Sequence, residues 1–153
     1  MPVALIFLGC LCGHLAAASL LTVPWWVPNL TLIGLVLAVA NAPHRWRILS
    51  VSAGMAAAVW AVRMPQGLVL SYLFVGWSVQ QLGRQWDVGA VHLQRILVGA
   101  ASAALTATLL WYEGMWSPTM LGLAVVHVAV TVACVPVVQK CFSALKTLRG
   151  SGA

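Results

Sequence analysis

The stretch WSPTMLGLAVVHVAVTVACVPVV, residues 116–138, carries no charged side chain. A helix of about 20 apolar residues crosses a hydrocarbon core near 30 Å thick, and this run is long enough. Residues 3–23, VALIFLGCLCGHLAAASLLTV, form a second such run. Neither alternates apolar with polar positions as a barrel strand would. In lipid, every backbone amide must be bonded within its own segment, so both read as helices. Between them lie four more apolar runs. The predicted helices are 3–23, 27–42, 46–62, 67–82, 96–112 and 116–139, with a short amphipathic tail at 140–149. The expected fold is all-α: one polytopic domain over residues 1–153, a six-helix transmembrane bundle with both termini cytoplasmic.

The composition agrees. Hydrophobic residues make up 62% of the 153 residues and charged residues 7%. A soluble domain carries about 25% charged residues. A net charge of +6 invites a nucleic-acid reading, but the basic residues are thinly spread, with no cluster larger than Arg45 and Arg47. Cys10, Cys12 and Cys134 lie inside apolar runs, where a thiol behaves as a small hydrophobe. A cleaved signal would need a basic start, and Met1, Pro2 and Val3 supply none. Leu8, Gly9 and Cys10 faintly resemble a lipoprotein cleavage box, but the run continues past them, so the first helix is expected to be retained.

The second run raises a problem of length. From Asn29 to Ala42 it spans only about 21 Å as a helix. It must borrow from residues 25–28, thin the bilayer, or be shielded by its neighbours. Pro28 can serve there as a first-turn residue.

Orientation follows from the gaps. With both termini inside, the inner gaps hold Arg45, Arg47, Arg84, Arg95, Lys140, Lys146 and Arg149, and the outer gaps hold Arg63. That asymmetry matches the excess of basic residues on cytoplasmic loops. Trp25, Trp26, Trp60, Trp111 and Trp116 mark the outer interface, and Trp46, Trp77 and Trp86 the inner one. Arg45, Arg47, Arg84, Arg95 and Lys140 read as cytoplasmic anchors to anionic lipid. The tail reads as a continuation of the last helix rather than a separate surface helix.

Material for catalysis is scarce. Asp87 and Glu113 are the only carboxylates, and this topology puts them on opposite faces of the membrane. No glycine-flanked nucleophile or phosphate loop stands out. Cys10 and His14 share a helix face while Cys12 points away, so one face offers two metal ligands where a structural site wants four. No cofactor or metal is expected. His14 and His127 lie deep in apolar runs. Such residues are functional candidates, though neutral imidazoles bonded to a neighbouring helix explain them more simply. Small residues give a clearer signal. Gly9, Gly13 and Ala17 repeat every four positions, as do Gly54 with Ala58, and Gly99 with Ala103 and Ala107. Such faces let helix backbones approach closely. A terminal helix is free to meet a partner, which singles out Gly9, Gly13 and Ala17.

Six short helices with almost no soluble loops resemble the rod shape-determining protein MreD family. Pro28-Asn29-Leu30 before an apolar helix is similar to that family's Pro-Asp-Leu start of its second helix. Gly54 with the alanines after Met55 resembles its glycine-containing third helix. Pro65, Gln66, Gly67 and Leu68, followed by Tyr72 and Gly76, resemble its turn and fourth helix. Asn29 stands where an aspartate is usual, and residues 60–63 lack the acid usual at the end of the third helix.

The resemblance implies a non-enzymatic scaffold or adaptor of the bacterial cell-elongation (rod) complex, in the cytoplasmic membrane, supporting cell shape and peptidoglycan synthesis. It implies an MreC-like single-pass scaffold as partner. An MreB-like filament and the glycan polymerase and transpeptidase pair would sit in the same complex. Candidate interface residues are Gly9, Gly13, Ala17, Trp25, Trp26, Pro28 and Asn29. A rival expectation is the substrate-binding subunit of an energy-coupling-factor-type vitamin transporter. Such a subunit needs polar groups converging on a pocket. The outer half supplies Asn29, Arg63, Gln66 and Glu113. The topology is checked by tagging each terminus. Neither tag should react with an impermeant reagent in intact cells, and labelling of either would overturn the both-ends-in arrangement.

Overall fold

A computed structural model describes residues 2–20, 27–59, 65–87 and 90–150. The side chains of Pro2, Pro65 and residues 145–150 fall outside that description, as do Trp25, Trp26, Trp60 and Arg63 altogether. The described residues form six α-helices: α1 Pro2–Leu20, α2 Leu30–Asn41, α3 Trp46–Ala58, α4 Pro65–Leu82, α5 Val91–Glu113 and α6 Pro118–Gly150. Pro43–Arg45 adds a 3-10 turn between α2 and α3.

α2 is the centre of the bundle. It packs against each of the other five helices. Thr31 to Val39 are all buried, on every side of the helix. A helix that is apolar all round is one enclosed by protein or lipid. At 12 residues α2 is about 18 Å long, well short of a hydrocarbon core. Of the three remedies open to a short run, shielding by neighbours is the one seen. α2 is also shorter than its apolar run, because Pro28 and Asn29 lie outside the helix and Asn29 caps it.

Three described helices are long and apolar enough to cross a membrane: Val3–Leu20, Val91–Glu113 and Pro118–Ala144. Only 11% of the first span and 11% of the third is buried within the bundle. Their outward faces carry Leu5, Leu8, Leu121, Val125 and Val137. So much exposed aliphatic surface belongs in lipid rather than water.

Other helix ends depart from the apolar runs for local reasons. α5 begins at Val91 rather than 96, because Leu93 packs against the core and Gln94 is buried. Apolar content alone misses an amphipathic first turn, and Arg95 therefore sits inside α5, half-buried, rather than in a loop. α4 starts at Pro65, which needs no N–H at a helix start. α6 starts at Pro118, where Ser117 accepts the Met120 N–H at 3.2 Å, and runs unbroken through Pro136 and the tail to Gly150.

α3 and α4 form the closest helix pair, running antiparallel. A Cβ on Gly54 would lie 2.7 Å from Val69 Cα and 3.4 Å from Tyr72 Cβ. A Cβ on Gly76 would overlap the Ser50 Oγ. The two glycines thus set the helix separation at two levels, as small residues do where no hydrophobic effect drives association. Gly9 differs, with nothing within 4 Å of a built Cβ. Gly54→Ala should cost about 1–3 kcal/mol, because the obstacle is backbone and α4 must move. Gly9→Ala should change stability by less than about 0.5 kcal/mol. Unfolding in detergent reads both, and equal effects would mean that the α3–α4 approach is not the constraint.

Candidate functional site

Several polar groups of the interior meet at the start of α2. A helix N-terminus leaves amide N–H groups without intrahelical partners, and here they lie inside the bundle. Asn29 Oδ1 accepts the Leu32 N–H at 3.0 Å, the ordinary N-cap bond. The Asn29 N–H donates to Thr131 Oγ1 of α6 at 3.1 Å. The Tyr72 hydroxyl of α4 lies 3.2 Å from Asn29 Oδ1 and 3.1 Å from Asn29 Nδ2, so it can donate to one or accept from the other. His14 of α1 places Nδ1 3.2 Å from the Pro28 carbonyl oxygen. A carbonyl only accepts, so Nδ1 carries the proton and Nε2 is the acceptor of the neutral ring. Tyr72 and Thr131 are 2% and 0% exposed, so water does not serve these groups.

A cavity of about 380 Å³ opens beside this knot. His14, Asn29, Tyr72, Thr106 and His127 give it polar walls, and aliphatic and small side chains complete it. Each of the six helices, or its entry, contributes to the lining.

The residues singled out in the sequence separate into groups. Pro28, Asn29, Gly54 and Tyr72 converge, since Asn29 bonds Tyr72 and Tyr72 Cβ lies against Gly54. Gly76 is buried one turn along α4, Gly67 is half-buried in its first turn, and Pro65 begins it. Along α1, Gly9 is exposed, Gly13 faces Leu30 with a built Cβ 3.5 Å from its Cδ1, and Ala17 is half-buried. The repeat is therefore not one face with one role. Trp25 and Trp26 lie outside the described residues. Cys10 packs against Gly34 of α2 while Cys12 is exposed. Among the described residues, no three His, Cys, Asp or Glu side chains stand close enough to hold a metal ion. Asp87 precedes α5 and Glu113 ends it, so the two carboxylates sit at opposite ends of a helix about 35 Å long.

Among the described residues, several basic side chains gather at the other end of the bundle. Arg45, Arg47, Arg84 and Lys140 are exposed there. The Arg47 guanidinium lies 5.5 Å over the Trp46 ring, and Arg45 Nε donates to His44 Nε2 at 3.2 Å. At the α5–α6 corner, Trp111 and Trp116 meet edge to face at 6.2 Å. Sequence reasoning missed Thr106 and Thr131. Each is a hydroxyl in an apolar run, and nothing local separates Thr106 from the exposed Thr108.

Tyr72→Phe should lose about 0.5–1.5 kcal/mol, and Asn29→Ala should lose a cap worth about 0.5–2 kcal/mol in addition to that bond. The double variant should then lose less than the sum, since the shared bond is removed once. Strict additivity in detergent unfolding would show the two side chains uncoupled.

In comparisons with known proteins, no family model, curated protein or solved structure matches this chain.

Proposed function

We propose that the chain is a non-enzymatic scaffold of the bacterial cytoplasmic membrane, resembling MreD of the rod complex. In this reading it crosses the membrane six times with both termini in the cytoplasm. One observation carries the reading. The positions that resemble the MreD pattern come from three separated stretches, yet Pro28, Asn29, Gly54 and Tyr72 meet at one point of the bundle. Such convergence is what an architecture shared with that family would produce, and it supports the reading.

Two further features support it. Large apolar side chains stand exposed along the helices, among them Ile48, Met55, Leu70, Phe74 and Val125. In lipid such faces are what a helix can offer another helix. The charged end, with Arg45, Arg47, Arg84 and Lys140, suits the cytoplasmic leaflet. The proposed partners are an MreC-like single-pass scaffold on helix faces, with an MreB-like filament and the glycan polymerase and transpeptidase pair in the same complex.

The rival reading, a substrate-binding subunit of an energy-coupling-factor-type transporter, is favoured by the cavity beside Asn29. The two differ in what accompanies the purified protein: another membrane protein, or a vitamin.

Gly9→Leu is the sharper test of the α1 interface, because a side chain there meets open space, whereas at Gly13 it would press on Leu30. It should lower recovery of the single-pass partner severalfold at normal expression. Full recovery of the complex would remove α1 from the interface.

A further inference from the structure

A scaffold has no use for the cavity at the start of α2. In a bundle packed for lipid, an interior space is filled most cheaply by a larger aliphatic side chain. This one instead keeps about 380 Å³ open and turns five polar side chains toward it. The volume falls in the range of small-molecule sites, which begin near 300 Å³. His14 and His127 stand far apart in sequence, each deep in an apolar run, and both line this one space. An ionisable residue at membrane depth is a functional candidate, and here two of them share one cavity.

The lining selects a chemical class. Among the described residues, it holds no Lys, Arg, Asp or Glu. A charged guest would lack a counter-ion in a low-dielectric interior, and the cost of that is large. A lipid acyl chain would gain nothing from an amide, a phenol, a hydroxyl and two imidazoles. Two of these side chains have acceptor capacity left. Thr106 already donates its hydroxyl proton to the Ser102 carbonyl at 2.8 Å, which leaves the lone pairs of its oxygen. His14 spends its Nδ1 proton on Pro28, which leaves Nε2. Asn29 and Tyr72 hold each other in place, so the polar wall is organised before anything enters.

We propose that this cavity binds a small uncharged molecule that presents N–H or O–H donors on an apolar body. The site goes beyond the scaffold reading and does not depend on it. Its test reads ligand occupancy, not complex formation, so either can fail alone.

The full-length protein in detergent is screened by thermal unfolding with neutral probes carrying donors, such as nicotinamide, benzimidazole and indole-3-carboxamide. Their charged counterparts, nicotinate, benzamidine and indole-3-carboxylate, are run beside them. Native mass spectrometry of the freshly purified protein looks for a retained small molecule. The expected result is a midpoint that rises with at least one neutral probe and with none of the charged ones, or a retained neutral molecule of a few hundred daltons. Thr106→Val keeps the shape and removes an acceptor, and should weaken binding about three- to tenfold. Ala57→Phe fills the space and should abolish binding; if it does not fold, Thr106→Val carries the test. Three results would overturn the proposal: no shift with any neutral probe at millimolar concentration together with no retained small molecule, equal shifts from charged and neutral probes, or phospholipid as the sole adduct.

Discussion

The architecture depends on enclosing a helix too short to face lipid across its whole thickness. α2 is about 18 Å long. Left at a lipid boundary, its ends would place unpaired backbone amides and carbonyls at hydrocarbon depth, at a cost of several kcal/mol each. Surrounding it with the other five helices removes that exposure, but the ends must still find partners. At the N-terminus Asn29 caps Leu32 while its own N–H reaches Thr131. At the C-terminus the Asn41 side chain donates to the Leu37 carbonyl at 2.8 Å. Two asparagines finish a helix that is otherwise aliphatic apart from Thr31 and Gly34.

That requirement ties the bundle together. The cap residue is held by Tyr72 of α4 and Thr131 of α6, and the residue before it by His14 of α1. Tyr72 can reach Asn29 because α4 lies close to α3, and the closeness requires Gly54. A glycine on α3 thus sets the position of a hydroxyl that holds the cap of α2. Hydrogen bonds of this kind gain strength where no water competes and are costly to leave half made. They therefore specify the arrangement more sharply than aliphatic packing, which tolerates repacking.

The same polar groups border the one region of the interior where function is proposed beyond scaffolding, whereas the outer surface is aliphatic and aromatic and suits helix-to-helix contact in lipid. Interior and exterior thus offer different chemistry: neutral hydrogen bonding within and close apolar packing without. A basic rim with an arginine stacked on Trp46 completes the exterior at the end away from the cavity.

By itself the sequence determined the solvent and the helical class, because 62% hydrophobic residues in uncharged runs leave no other stable form. It also marked the close-packing glycine Gly54, since spacing on a helix face is a local property, whereas Gly76 was singled out only through the family resemblance. It left open how residues 29–42 manage their length, since an apolar run looks the same whether lipid or protein surrounds it. Only the tertiary structure placed α2 at the centre. Only it divided Gly9 from Gly13, because which side of α1 faces α2 depends on how the helices pack. Thr106, Thr131 and the joining of His14 to His127 were invisible for the same reason: a hydroxyl or an imidazole acquires its role from what lies across from it, and those partners are remote in the chain.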